Sequence, residues 1–143
     1  MVALMTFGAI RYGKKPGYEL LRYATTKNTT VVGGFSKLLK HFTRTHCPER
    51  IVSFADRRWS FGNVYETNGF SLAWASAPNY FYFRPEDPHT LKSRVVFQKH
   101  KLPSLLESFD PKKTEFENMS DNGWDRVWDC GNLVYELSVR PKH

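Results

Sequence analysis

The densest group of potential ligands is Glu86, Asp87 and His89, inside the six residues PEDPHT. Carboxylates and an imidazole this close could hold Mg2+ for phosphodiester hydrolysis. Two prolines in the same six residues read instead as a solvent-exposed turn, and no further carboxylates converge on it as a nuclease requires. His41, His46 and Cys47 form a second set of metal-binding types, but a closed zinc site needs four ligands and no matching second pair exists. There is no Ser/His/Asp motif in a recognisable context, no P-loop and no GxGxxG. Catalysis, metal and cofactor are therefore not expected.

Basic residues beside aromatics offer a different chemistry. Arg57, Arg58 and Trp59 follow the run RIVSFA after one residue, Asp56. A guanidinium bonds a phosphate or a guanine edge in two places at once, and an indole stacks on a base or sugar. The competing reading makes Trp59 core and pairs one arginine with Asp56. LKSRVVFQKHK carries Lys92, Arg94, Lys99, His100 and Lys101 around an apolar centre. On a strand, Lys92 and Arg94 share parity and project from one side. Lys14 and Lys15 sit in a turn from which flexible lysines reach phosphates. Gly33 and Gly34 precede a helix, where backbone N–H groups can meet one phosphate.

Charge supports a polyanionic partner. The 143 residues carry a net +7, and a basic small domain most often meets nucleic acid. The first 60 residues hold eleven Lys/Arg against Glu19, Glu49 and Asp56, a net of +8, and the remainder nets −1. Such asymmetry predicts a one-sided basic surface. With 41% hydrophobic and 15% aromatic residues, the chain is expected to fold, as a single domain spanning 1–143. Cys47 and Cys130 form no framework and read as buried, reduced thiols of a cytoplasmic protein. No apolar run approaches the ~18 residues of a membrane span. The opening MVALMTFGAIRYGKK has no basic region before its apolar part, which argues against a signal peptide.

The elements that must position these residues follow from periodicity. ALMTFGAIRY reads as a strand, YGKKPGYE as a turn, and YELLRYATTKNTTVV as a long strand or a strand with a bulge. After Gly33-Gly34, Phe35, Leu38, Leu39 and Phe42 mark one helix face. Lys37, Lys40, His41 and Arg44 repeat that spacing two residues on, which places them on the opposite face. RIVSFA fits a strand buried on both sides. Strand, helix and strand make a crossover unit, so the two strands are expected to be parallel neighbours. GNVYETNGF predicts a short helix capped by Gly69. FSLAWAS, NYFYFR and LVYELSV predict strands, KLPSLLESF a short helix, and NMSDNGWDRVWDCGN a turn-rich segment with a strand at WDRVWD.

Two family resemblances attach to these residues. GGFSKLLKHF, RIVSFADRRWSFGNVYETNGF and NYFYF resemble the N-acetyltransferase (GNAT) superfamily, in which a glycine loop enters a helix, a strand follows, and a short Asn…Tyr…Gly-Phe helix comes next. Here those positions are Gly33, Gly34, Asn63, Tyr65, Gly69 and Phe70. The two loop glycines are adjacent, whereas the family spaces them one apart, and no Arg or Gln leads them. More of the chain, from Tyr18 to Glu136, resembles a domain of phage-encoded homing endonucleases that accompanies a separate nuclease module and helps to recognise DNA. The run that carries it includes NTTVVGGFSKLLKHF, ERIVSFADRRWSFGNVYETNGF, PNYFYF, FQKHKL and RVWDCGNLVYE. The resemblance implies that domain alone, without the nuclease module.

The expected fold is therefore α+β: a mixed central sheet with a few helices around a GNAT-like β-α-β-α-β core. The expected function is non-catalytic, sequence-specific binding of double-stranded DNA at an operator or promoter. The resemblance implies a transcriptional repressor domesticated from a phage homing endonuclease, working in the bacterial cytoplasm and on the nucleoid. The expected contacts are Arg57, Arg58, Trp59, Lys37, Lys40, Arg44, Lys92, Arg94, Lys99, His100, Lys101, Lys14, Lys15, Gly33 and Gly34. A homodimer would pair two half-sites, though no residue pattern demands one. The alternatives are an acetyltransferase using acetyl-CoA, a minimal Mg-dependent nuclease built on Glu86, Asp87 and His89, and a protein-interaction domain.

Overall fold

The computed structural model describes residues 1–11 and 15–139. The turn at Gly13 and the contact expected of Lys14 lie outside the described residues. The described chain groups into two compact units: Met1–Ser76 with Gly131–His143, and Ala77–Cys130. In chain order the second is an insertion between the last two strands of the first. The architecture is α+β, with one mixed sheet, one antiparallel sheet and a few short helices.

The larger unit is built on a five-stranded sheet. Strands β1 (Ala3–Ala9) and β2 (Tyr18–Thr25) pair antiparallel, and their register steps from Thr6↔Arg22 to Phe7↔Leu20. Leu21 is thus the extra residue of a bulge, one of the two forms expected for this segment. The expected extension of β2 to Val32 does not form. Asn28 turns the chain with φ 58, a left-handed conformation that Asn tolerates, and the Thr29 amide closes on Thr26 O at 3.0 Å.

Helix α1 (Gly34–His46) opens behind Gly33, itself left-handed at φ 67. Gly34 fits because a Cβ there would lie 2.7 Å from Tyr23 Oη and 2.9 Å from Val31 Cγ1. Phe35 and Leu39 are buried as the spacing requires, and Phe42 stacks on Phe7 at 3.5 Å and 8°. The chain then enters β3 (Arg50–Asp56), which runs parallel to β2 through Tyr18↔Ile51 and Glu19↔Val52. Ile51, Val52, Ser53 and Ala55 are all buried, so β3 is covered on both faces. Ile51 and Val52 each contribute about 2 kcal/mol by leaving water.

Helix α2 (Asn63–Thr67) follows and ends before Gly69, whose φ of 85 is the left-handed conformation expected of it. Strand β4 (Ser71–Ala75) lies at the sheet edge. The last strand, β8 (Asn132–Ser138), fits between β3 and β4, antiparallel to both. The order is β1-β2-β3-β8-β4. Leu20, Phe35, Leu39, Ile51, Ala55, Phe70 and Tyr135 form the core.

The inserted unit is a three-stranded antiparallel sheet, ordered β6-β5-β7, with short helices. Strand β5 (Tyr80–Arg84) turns at Pro85-Glu86 into β6 (Asp87–Ser93), and β7 (Asp125–Trp128) falls within the expected WDRVWD. The exposed turn expected over PEDPHT is thus only two residues long. Pro88 is tolerated in β6 because that strand is at the edge of its sheet, where a missing donor faces outward.

The strand expected to carry both Lys92 and Arg94 stops at Ser93. Ser93 Oγ accepts the Val95 amide and starts a 3-10 turn over Arg94–Phe97, with a second over Lys99–Lys101. Helix α3 (Leu102–Leu105) has Pro103 in its first turn but ends four residues short of Phe109. Helix α4 (Glu115–Asp121) replaces the first part of the turn-rich segment expected from Asn118 onward. It is started by a capping box between Thr114 and Glu117. Tyr82, Phe97, Leu102 and Met119 form the core of this unit. Asn118 is 1% exposed and ties the preceding loop down: its Nδ2 donates to Asp110 O and Thr114 O, and its Oδ1 accepts the Asp110 amide.

Candidate nucleic-acid interface

The strand β3 ends at Asp56, and its exit loop is tightly anchored. The amides of Trp59 and Ser60 both donate to Asp56 O at 3.0 Å. The Asp56 carboxylate accepts the Arg58 amide at 2.9 Å and the Arg58 guanidinium through Nε and Nη2. The Arg58 side chain first, and its amide second, hold the Asp56 carboxyl below its ordinary range. Arg58 is thus the arginine that pairs with Asp56. The Arg57 amide donates to Gly131 O at 3.2 Å, which fixes its backbone, while its side chain is exposed.

Trp59 is not core: it is 82% exposed. The turn that bonds residues 59 and 60 back to Asp56 leaves its indole on the outside. Phe61, two residues on, is 81% exposed. Sequence reasoning does not single out Phe61, because an aromatic in an apolar-rich segment carries no mark of which way it faces.

The far side of the loop is fixed by Tyr135. Its hydroxyl donates to Phe61 O at 2.9 Å and lies 3.2 Å from Glu66 Oε1, while its ring stacks on Tyr65 at 5.2 Å. Burial, and then Glu66, push the Tyr135 hydroxyl above its ordinary pKa, so it stays a donor. Tyr65 in turn shares a hydrogen bond with Ser53 Oγ at 3.0 Å. Gly62 passes over the Tyr135 ring at φ 82, and a Cβ there would overlap that ring.

Helix α1 brings the second group of cations. Because β2 and β3 are parallel and α1 joins them, α1 runs back along the sheet. Its N-terminal end therefore lies at the end of the sheet where β3 ends. Lys37 is near that end and Arg44 lies about 10 Å further along the axis. Lys37, Lys40, His41 and Arg44 are exposed, and the first turn holds no acidic residue. Among the described residues, no hydrogen bond, ion pair or ring contact engages the side chains of Lys37, Lys40, Arg44 or Arg57. The Gly34 amide donates to Val31 O at 3.0 Å, so it is already used within the fold. Lys15 is exposed, and its carbonyl accepts Arg50 Nη2 at 3.1 Å.

The inserted unit treats its cations differently. Lys92 Nζ lies 5.3 Å from the Trp124 ring centre, and the Arg94 guanidinium 5.4 Å from that of Tyr80. Lys99 Nζ donates to Pro111 O and Lys101 Nζ to Val95 O, both at 3.1 Å. Only His100, of the five expected contacts in this unit, is exposed with no such bond among the described residues. Arg126 packs its guanidinium 3.9 Å from the centre of Phe116 and 5.3 Å from those of Tyr80 and Trp128. Tyr80 and Tyr82 both donate to Glu115 Oε1, at 2.8 and 3.1 Å. Burial, and then the Glu115 carboxylate, raise the Tyr82 hydroxyl further above its ordinary range.

Both thiols are exposed, contrary to the burial expected of them. Cys47 caps α1 in a left-handed conformation with φ 42, and Cys130 sits in the connection before β8. Elements end at both places, and side chains there face outward. Among the described residues no three His, Cys, Asp or Glu side chains gather as a metal site would require. No helix among them is long and apolar enough to cross a membrane. Comparison of the chain with known protein families, curated proteins and solved structures returns no match.

Proposed function

We propose that this chain is a non-catalytic, sequence-specific binder of double-stranded DNA that acts as a transcriptional repressor by occupying an operator. The observation that carries the reading is the outward, unengaged set Lys37, Lys40, Arg44 and Arg57 on the larger unit, which also carries the exposed Trp59. Charge agrees with it. The larger unit holds thirteen Lys/Arg against five Asp/Glu, a net of +8, while the inserted unit nets −1. The element order β2-α1-β3-α2-β4 supports an acetyltransferase-like scaffold that serves here as a DNA-recognition surface. Its resemblance to the homing-endonuclease domain supports a phage origin.

In this reading the α1 stripe and Arg57 neutralise phosphates, while Arg58, held in one orientation by Asp56, and Trp59 face the grooves. Gel shift of genomic fragments followed by footprinting tests it. Four phosphate contacts predict that log K falls with log salt at a slope near −3.6, about a hundredfold in affinity between 50 and 200 mM salt. Absence of binding to any fragment, or binding indifferent to salt, contradicts the proposal.

A further inference from the structure

We infer that Trp59 and Phe61 form an apolar wedge that enters between stacked bases and partly unstacks them. The inference rests on the DNA-binding reading and adds a mechanism to it. Two large rings at 82% and 81% exposure stand two residues apart on one loop. Apolar groups exposed close together mark contact surfaces where the same groups scattered singly do not.

Their backbone is not free to fold them inward. It is anchored at Asp56 through the amides of Trp59 and Ser60, at Ser60 Oγ through the Gly62 amide at 3.1 Å, and at Tyr135 through Phe61 O. Gly62 has no space for a side chain, which fixes where the loop turns. The rings are therefore presented by a built loop.

Charge selects the occupant. Arg57 and Arg58 precede the pair directly, and the crossover from β2 to β3 puts the N-terminal end of α1, with Lys37 in its first turn, at the same end of the sheet. An apolar protein groove would have to accommodate these cations, whereas a nucleic acid places phosphates on both sides of an opened base step. Proteins that kink DNA insert apolar side chains of this kind between steps, and aromatic rings stack on the exposed base faces.

The test uses the full chain and a 30-base-pair duplex selected from a random library for binding to it. 2-Aminopurine is substituted at successive steps, since its emission rises when it unstacks. The wild-type protein is expected to raise emission several-fold at one step. The double variant Trp59→Ala, Phe61→Ala is expected to stay folded by circular dichroism and to bind on the order of ten- to a hundredfold more weakly. It should keep the same salt slope and lose the emission change. Wild-type binding without a change at any step overturns the wedge and leaves DNA binding intact. An emission change retained in the double variant overturns the assignment to these residues. Failure to select any duplex overturns the wedge together with the reading on which it rests.

Discussion

The two units hold similar kinds of residue and put them to different uses. In the inserted unit, Lys92 and Arg94 lie against aromatic rings, Lys99 and Lys101 bond carbonyls, and Arg126 sits among three rings. In the larger unit, Lys37, Lys40, Arg44 and Arg57 engage no described partner. A cation that braces its own fold has one donor or its ring-facing side committed, and reaching for a phosphate strains that contact. An outward, unengaged cation gives up only water and counterions. Basic clusters that look alike in sequence therefore differ in meaning according to what the fold places beside them.

The largest expected effect falls on the larger unit. Replacing Lys37, Lys40 and Arg44 together by Ala should weaken DNA binding on the order of a hundredfold, at roughly 1 kcal/mol for each phosphate contact. The thermal midpoint should barely move, since exposed sites of this kind change stability by no more than about 0.5 kcal/mol. Binding isotherms paired with melting curves check both halves. A large loss of stability would mean that the stripe braces the fold as the other unit's cations do.

Arg126→Ala should behave in the opposite way. Losing a guanidinium 3.9 Å from Phe116 should destabilise the inserted unit by about 1–2 kcal/mol in denaturant unfolding, with DNA affinity within twofold of wild type. A variant that unfolds normally but loses DNA would erase the distinction between the units.

The smallest expected effect concerns the Asp56–Arg58 pair. The folded Asp56 carboxyl is lowered, so its stabilising contribution is present above the ordinary carboxylate range and lost as pH falls through the folded value. Both side chains are a third or more exposed, at 34% and 47%, so solvent screening limits the contribution to about 0.5 kcal/mol. Asp56→Asn should therefore be slightly less stable than wild type at pH 7, and the two should converge below about pH 4. A gap that persists into acid would show that something other than the charge of Asp56 holds Arg58.

Much of the scaffold was legible because local pattern and tertiary outcome agree. The apolar spacing from Phe35 to Phe42 and the run RIVSFA each specify an element, and the helix between two strands specifies their parallel pairing. Helix α4 was hidden because only Phe116 and Met119 supply apolar periodicity over its seven residues. Its clearest local sign was the Thr114…Glu117 capping box. The β2 strand stopped early because one left-handed Asn28 outweighs a run of β-prone threonines and valines.

The candidate site was legible as residue types but not as roles. Arg57, Arg58 and Trp59 are marked by composition, yet the exposure of Trp59 and Phe61 depends on a turn closed by backbone bonds to Asp56. Likewise, nothing near Lys92 in sequence shows that Trp124 will lie beside it, because that ring arrives after helix α4. Side chains brought together by distant elements leave no local signal.

The difference between the units comes down to one salt series. DNA affinity would be measured for the full chain, for a variant with Lys37, Lys40, Arg44 and Arg57 changed to Ala, and for a variant with Lys92, Arg94, Lys99 and Lys101 changed to Ala. The wild-type slope of log K on log salt should lie near −3.6, collapse toward zero in the first variant and stay unchanged in the second. A slope that flattens in the second variant and persists in the first would place the phosphate contacts on the wrong unit and contradict the account.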